Sequence, residues 1–320
     1  MVLDIIFLLV GFVLLIKGAD ILIDGSSSIA KKFGLSNLMI GLTIIAFGTS
    51  APELVVNIMA SINGNSDIGM GNVVGSNIVN ILLILGLAAI FSNLKVDSSI
   101  IKKEIPFSIL SAIVLFVLVN SVFINGVGEN GLFRSGGLIL ISFFVIFLFY
   151  IFSIPKERRD NREAEKIKEV KNWKSILMIF GGILALFFGG RFIVDSAVNI
   201  SRFFGLSDAL IGLTIVAIGT SLPELAASIA AALKNQAGMV IGNVIGSNIF
   251  NILWVLGLSS VISPIAYNPV MNFDIFFLIY ISILLVPLIF IGKKGHFTRA
   301  EGAILVFLYF AYLTFVIIRG

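Results

Sequence analysis

A chain of 320 residues that is 58 % hydrophobic and 12 % charged, with a mean hydropathy of +1.09, is not a soluble globule, whose charged fraction lies near a quarter. The net charge of +4 does not point to nucleic acid, because much of the basic excess sits in short segments between apolar runs, where it orients a protein in a membrane. No cysteine is present, and the single histidine, His296, falls in a polar connection; disulfides, thiolate chemistry and histidine chemistry at mid-membrane are therefore excluded.

The composition predicts an all-α polytopic membrane protein. Its N-terminus opens with apolar residues and Asp4, lacks a basic n-region, and reads as a first span rather than a cleaved signal. Apolar stretches of about 20 residues, the length that crosses a bilayer, fall near 3–23, 37–62, 69–91, 105–124 and 132–152. Five more fall near 175–197, 208–233, 240–262, 271–291 and 300–318.

Within the second span lies Gly48-Thr49-Ser50-Ala51-Pro52-Glu53. A carboxylate at that depth costs roughly 2.5–3.5 kcal/mol on insertion scales unless it faces a cavity or a partner. Pro52 has no N–H for the carbonyl of Gly48 and disfavours helical geometry at Ala51, so the helix is expected to break just before the carboxylate. Ala46, Thr49, Ser50, Glu53 and Asn57 recur at three- and four-residue spacing, which gathers hard oxygen donors on one face.

The motif occurs again. Gly219-Thr220-Ser221-Leu222-Pro223-Glu224 stands 171 residues later, and the same displacement carries Gly34-Leu35-Ser36 to Gly205-Leu206-Ser207 and Gly75-Ser76-Asn77-Ile78 to Gly246-Ser247-Asn248-Ile249. From Gly34 to Asn93 roughly half the aligned positions are identical, far more than shared apolar composition gives. The chain is thus a duplicated unit, and five spans per copy force the second to enter the membrane in the opposite sense. The expected architecture is ten transmembrane helices in two inverted five-helix repeats, 1–152 and 175–320, with broken helices at mid-membrane and a charged linker at 153–174.

Charge sets the expected orientation. Lys31, Lys32, Lys95, Lys102, Lys103, Lys234, Lys293, Lys294 and Arg299 share a side with the linker if the spans alternate, while Arg134, Arg202 and Arg319 lie opposite. The positive-inside rule then makes the linker cytoplasmic and puts both termini outside the cell membrane. The linker itself, with mixed charge in a helical register, reads as a solvated helix.

Asn72, Ser76 and Asn80 occupy one helical face, and Asn243, Ser247 and Asn251 repeat it, so two polar stripes face two carboxylates. Gly71, Gly75, Gly242 and Gly246 permit close helix approach. Asp24 and Asp195 correspond at the ends of the first span of each copy and read as capping or solvated acids. No phosphate-binding loop is present, and no nucleophile–base pair supports an enzyme.

The two GTS-x-PE and two GN-x-x-GSN motifs resemble the α-repeats of the cation/calcium exchanger superfamily, most closely the sodium/calcium exchangers of bacteria and archaea. The resemblance covers essentially the whole chain. It implies that Glu53 and Glu224, with main-chain oxygens of Thr49 and Thr220, bind Ca²⁺. It further implies Na⁺ sites drawing on Ala46, Ser50 and Ser76 and on Ala217, Ser221 and Ser247, with Asn80 and Asn251 lining the centre. Potassium-dependent relatives carry Asp where this chain has Asn251, and proton-coupled ones usually carry a glutamate where it has Gly75-Ser76 and Gly246-Ser247; the resemblance therefore favours Na⁺ over K⁺ or H⁺ as coupling ion. The expectation is a secondary antiporter with Ca²⁺ and Na⁺ as substrates, no cofactor and no obligatory protein partner beyond the bilayer. Proton-coupled or potassium-dependent exchange, or a passive cation channel, are the alternatives. Alternating access would come from movement of 3–23 and 175–197 across a fixed core, with Gly11, Gly18, Gly182, Gly189 and Gly190 smoothing the sliding faces.

Overall fold

A computed structural model describes residues 2–62, 66–126, 128–153, 170–203 and 217–319. Its principal helices are α1 (Val2–Phe33), α2 (Asn37–Thr49), α3 (Ala51–Ile62), α4 (Ile68–Phe91), α5 (Ile105–Val119), α6 (Ser121–Asn125), α7 (Arg134–Phe152) and α8 (Asn172–Phe203). They continue with α9 (Leu222–Leu233), α10 (Ala237–Ile262), α11 (Asn272–Ile291) and α12 (Arg299–Arg319). Among the described residues seven helices are long and apolar enough to cross a membrane, or eight when α2 and α3, bent by 46° at Ser50, count as one span. The expected span at 105–124 divides at Asn120 into α5 and α6. The expected span at 208–233 and the linker helix lie partly outside the described residues.

The first helix of each copy is longer than its apolar run. α1 continues well past residue 23, and α1 and α8 each have 32 residues. Beyond residue 23 the helix buries a polar face: Ser26, Ser27 and Ser28 are all buried, and Ser28 Oγ lies 3.0 Å from Ser175 Oγ. At 1.5 Å per residue such a helix is about 48 Å long, more than a bilayer core of roughly 30 Å, and the excess of α1 is its polar end, with Lys31 and Lys32 in the last turn.

Glycines bring these two helices together. A Cβ added at Gly11 would lie 2.9 Å from Gly189 O, one at Gly18 would lie 3.1 Å from Gly182 O, and one at Gly25 would lie 3.0 Å from Ser175 O. The partners descend as the first helix ascends, so α1 and α8 run antiparallel, in backbone contact every seventh residue. This corrects the expected role of Gly11, Gly18, Gly182 and Gly189: they fasten the two helices to each other, and a residue with no side chain is what lets two backbones come that close. Gly190 alone of the five faces the core, against the ring of Pro223.

The centre is built from α2, α4 and α10, the last two being the most buried spans. α2 crosses α10 through glycine as well: a Cβ on Gly242 would lie 2.6 Å from Leu38 O and one on Gly41 2.6 Å from Met239 O. Gly246 meets Ala46 and Leu42 in the same way. At the first-copy counterparts an added Cβ would meet, among the described residues, only Met271 at Gly71 and nothing within 4 Å at Gly75. Four widened π turns occur among the described residues, three on the buried helices at Gly41–Ile45, Asn80–Ile84 and Asn251–Leu256 and one ahead of α5 at Ile100–Glu104. Such turns recur at functional sites, and no residue type announces them.

Short strand pairs tie the connections. β1 (Leu94–Lys95) pairs antiparallel with β4 (His296–Phe297), and β2 (Gly131–Leu132) with β3 (Ile265–Ala266). Each joins a loop of the first half to a loop of the second. At the α1–α2 connection Lys32 Nζ donates to Val170 O at 2.6 Å and Asn172 Oδ1 at 2.8 Å, which places that connection beside the start of α8.

Candidate ion-binding site

Both motif helices break at the serine. Ser50 has φ −83° and ψ 8°, and Ser221 has φ −88° and ψ 5°, after which α3 and α9 start anew with the proline in the first turn. Ala51 stays helical, so the break falls one residue earlier than Pro52 alone suggests. The first turn of a helix needs no N–H from its second residue, which is why proline fits there. Each glutamate therefore sits in the first turn of a helix that begins inside the protein, beside the partial positive charge of the helix N-terminus.

The two carboxylates are fully buried, Glu53 at 0 % and Glu224 at 1 % exposure. Serines of the opposite copy hold them: Ser50 Oγ donates to Glu224 Oε1 at 2.8 Å, and Ser221 Oγ to Glu53 Oε1 at 3.5 Å. Ser76 Oγ also donates to Glu53 Oε1, at 3.4 Å, and Ser247 Oγ lies 3.0 Å from Ser50 Oγ. The other oxygen of each carboxylate, Oε2, is buried and has no hydrogen-bond partner among the described residues.

Around this pair the bonds repeat across the two copies. Thr49 Oγ1 donates to Asn243 Oδ1 and Thr220 Oγ1 to Asn72 Oδ1, both at 3.2 Å. Ala46 O accepts Ser50 N at 3.0 Å, and Ala217 heads the turn Ala217–Gly219. Asn80 and Asn251 stand one turn beyond Ser76 and Ser247 and open the two π turns. Their side-chain oxygens, like the glutamate Oε2 atoms, are buried without a donor among the described residues.

The structure thus gathers the predicted residues into two hydrogen-bonded groups that each join the copies, Ser50 with Glu224 and Ser247, and Ser221 with Glu53 and Ser76; Thr49, Thr220, Asn80 and Asn251 lie on the same helices or their immediate continuations. Asp24 and Asp195 stand apart from them. Asp24 pairs with Lys234 at 2.8 Å and Asp195 with Arg191 at 3.4 Å, on exposed faces. Glu53 Oε2, Glu224 Oε2, Asn80 Oδ1 and Asn251 Oδ1 are thus buried oxygens without donors among the described residues, and oxygen is the donor type that hard cations take.

The sequence model of the family described as sodium/calcium exchanger protein matches residues 3–153 and 174–318. The chain belongs to the sodium/calcium exchanger family. The exchanger is 38 % identical to the putative antiporter CaxA of Alkalimonas amylolytica over 315 residues, covering 96 % of both chains. It is 34 % identical to the sodium/calcium exchanger MaX1 of Methanosarcina acetivorans, covering 96 % of this chain and 97 % of that one. Among solved structures it is similar to the sodium–calcium exchanger NCX_Mj soaked with Na⁺ and Ca²⁺, with a TM-score of 0.83, 33 % identity and 98 % of each chain covered. The family is one of transporters.

Two buried asparagines outside the predicted site, Asn77 and Asn248, also join the copies. Asn77 Nδ2 donates to Asn248 O at 3.1 Å, and Asn248 Nδ2 to Asn77 O at 3.3 Å. Their presence in both GSN motifs was the available signal, but spacing alone does not say that these two face each other.

Proposed function

We propose that the protein is a secondary antiporter that exchanges Na⁺ for Ca²⁺ across the cell membrane by alternating access. The observation that carries this reading is the pair of buried carboxylates, each bonded to a serine of the other copy and each keeping one oxygen without a donor. A buried carboxylate is costly unless a cation or donors compensate it, and two of them neutralise one Ca²⁺. Glu53, Glu224 and the carbonyls of Thr49 and Thr220 hold that ion. Ala46, Ser50 and Ser76, and likewise Ala217, Ser221 and Ser247, hold Na⁺ at the flanks, and Asn80 and Asn251 line the centre. Side chains, carbonyls and water together supply the ~6–8 oxygens that Ca²⁺ takes.

In this reading the ten spans form two inverted five-helix repeats, 1–152 and 175–320, with both termini outside and 153–174 cytoplasmic. The antiparallel contact of α1 with α8 and the loop pairings β1–β4 and β2–β3 agree with it. Three Na⁺ against one Ca²⁺, the ratio usual in the family, moves one net charge per cycle, worth about 2.3 kcal/mol per 100 mV. Inward Na⁺ movement then drives Ca²⁺ out. Because glycine fastens α1 to α8, the two move as one body across the core.

⁴⁵Ca²⁺ uptake into proteoliposomes loaded with Na⁺, K⁺ or a pH gradient tests the proposal. Uptake driven by internal Na⁺ alone, saturating with counter-ion, is expected. Uptake that needs K⁺ or a proton gradient, or that proceeds without counter-ion as a channel would, overturns it.

A further inference from the structure

We infer that Asn77 and Asn248 are positioning residues that fix which way Asn80 and Asn251 present their amides, and thereby keep the centre of the ion cavity lined by neutral oxygen. The inference rests on the reading of that cavity given above.

Two main-chain carbonyls set the orientation. A carbonyl can only accept, so the group that Asn77 turns to Asn248 O, at 3.1 Å, is its NH₂, and the same holds for Asn248 toward Asn77 O at 3.3 Å. Each of these side chains is left with its Oδ1 on the other side. Asn251 Nδ2 meets Asn77 Oδ1 at 3.2 Å, and Asn80 Nδ2 meets Asn248 Oδ1 at 3.0 Å. An acceptor requires a donor, so Asn251 and Asn80 must also turn their NH₂ groups toward the other copy. Their own Oδ1 atoms then point the opposite way, and those are the atoms buried without a donor. All four residues are at most 2 % exposed, so water does not compete for these bonds.

Backbone polarity is in this way relayed through two amides to the atoms offered to a cation. The relay also specifies charge. Aspartate at 251 would set a carboxylate oxygen against Asn77 Oδ1, acceptor against acceptor. Asn77 could turn its NH₂ to that carboxylate only by giving up its bond to Asn248 O.

Double-mutant cycles in proteoliposome ⁴⁵Ca²⁺ uptake test this. Asn77→Ala is expected to raise the KM for Ca²⁺ about five- to tenfold, the worth of one orienting hydrogen bond, with a smaller change in maximal rate. In an Asn251→Ala background the same substitution should add nothing. Asn248→Ala paired with Asn80→Ala gives an independent cycle should Asn77→Ala not fold. In an Asn251→Asp background Asn77→Ala should improve uptake, because it removes the opposed acceptor; a structural role alone does not reverse sign in this way. Equal penalties from Asn77→Ala in all backgrounds overturn the inference while leaving the cavity intact. If Asn251→Ala and Asn80→Ala leave KM and Na⁺ dependence untouched, the reading of the cavity falls, and the inference with it.

Discussion

The two copies of the repeat agree at the centre of the molecule and diverge toward its ends. At the centre most bonds have a twin: Ser50 to Glu224 and Ser221 to Glu53, Thr49 to Asn243 and Thr220 to Asn72, Asn77 to Asn248 and back; the bonds of Ser76 to Glu53 and of Ser50 with Ser247 are the exceptions. One turn away the pairing loosens. In the second copy Asn243 Nδ2 serves both Glu224 O and Ser228 Oγ, at 3.3 and 2.9 Å. In the first copy Asn57, the counterpart of Ser228, bonds Glu53 O itself at 3.0 Å. At the periphery the correspondence is gone. Lys234 binds Asp20 at 3.3 Å and Asp24 at 2.8 Å, whereas the residue matching Asp20 is Arg191, which pairs within α8 with Asp195. The ion site proposed above draws on both copies and so constrains only the residues within its reach; an interchangeable amide or a solvated ion pair lies beyond it.

That contrast can be broken by experiment. The largest effect belongs to the shared charge: Glu53→Gln and Glu224→Gln should each reduce ⁴⁵Ca²⁺ flux to background while membrane insertion, followed by fractionation and size exclusion, is retained. Full flux in one of the two would show that the centre is not symmetric in function.

Next comes the charge count. Asn251→Asp adds a third carboxylate beside two, and like charges so close are relieved by a further cation or a proton. Flux should acquire a dependence on K⁺, on pH, or on both, when assayed at several pH values with and without K⁺; native flux should have neither. Asn80→Asp, the twin substitution, should do the same, and a response confined to one of them would mark where the copies part.

A smaller effect follows from the packed helix pair. Gly18→Val and Gly182→Val push side chains into backbone and should each cost about 1–3 kcal/mol in thermal or denaturant unfolding in detergent. Gly181→Ala, at an exposed position with no atom within 4 Å of its added carbon, should be neutral or gain a few tenths of a kcal/mol through helix propensity, up to about 1. The smallest effects lie at the ends: Lys234→Ala and Arg191→Ala break partly solvated pairs and should cost below about 1 kcal/mol each.

Much of this was legible because duplication doubles a weak signal. One Pro-Glu in an apolar run is ambiguous, but the pair Pro52-Glu53 and Pro223-Glu224 in one register marks a site, and proline chemistry placed the break to within a residue. The π turns at Asn80 and Asn251 were not legible, because a widened turn arises from packing and leaves no residue signature. The length of α1 was hidden by Asp20, Asp24 and Ser26–Ser28, a polar run that reads as a span end until a second helix covers the serines. Glycine spacing marked α1 and α8 as helices of close approach without naming the partner. The same limit hid Asn77 and Asn248, since which face of a buried helix meets which neighbour is a property of the assembled bundle.

The pairing of β1 with β4 joins segments that leave the ribosome far apart in time. Leu94 finds its partner in Phe297, about 200 residues later, and contacts so distant in sequence are the slow ones to form. An exchanger emerging from the ribosome has no finished first half to set aside: Ser50 lacks Glu224, Asn77 lacks Asn248, and Gly11 lacks Gly189 until the second copy has been inserted. Synthesis that stops after α7 should therefore leave a product recognised by quality-control proteases rather than a working half, and supplying 1–152 and 175–320 from separate messages should succeed only if both are made together.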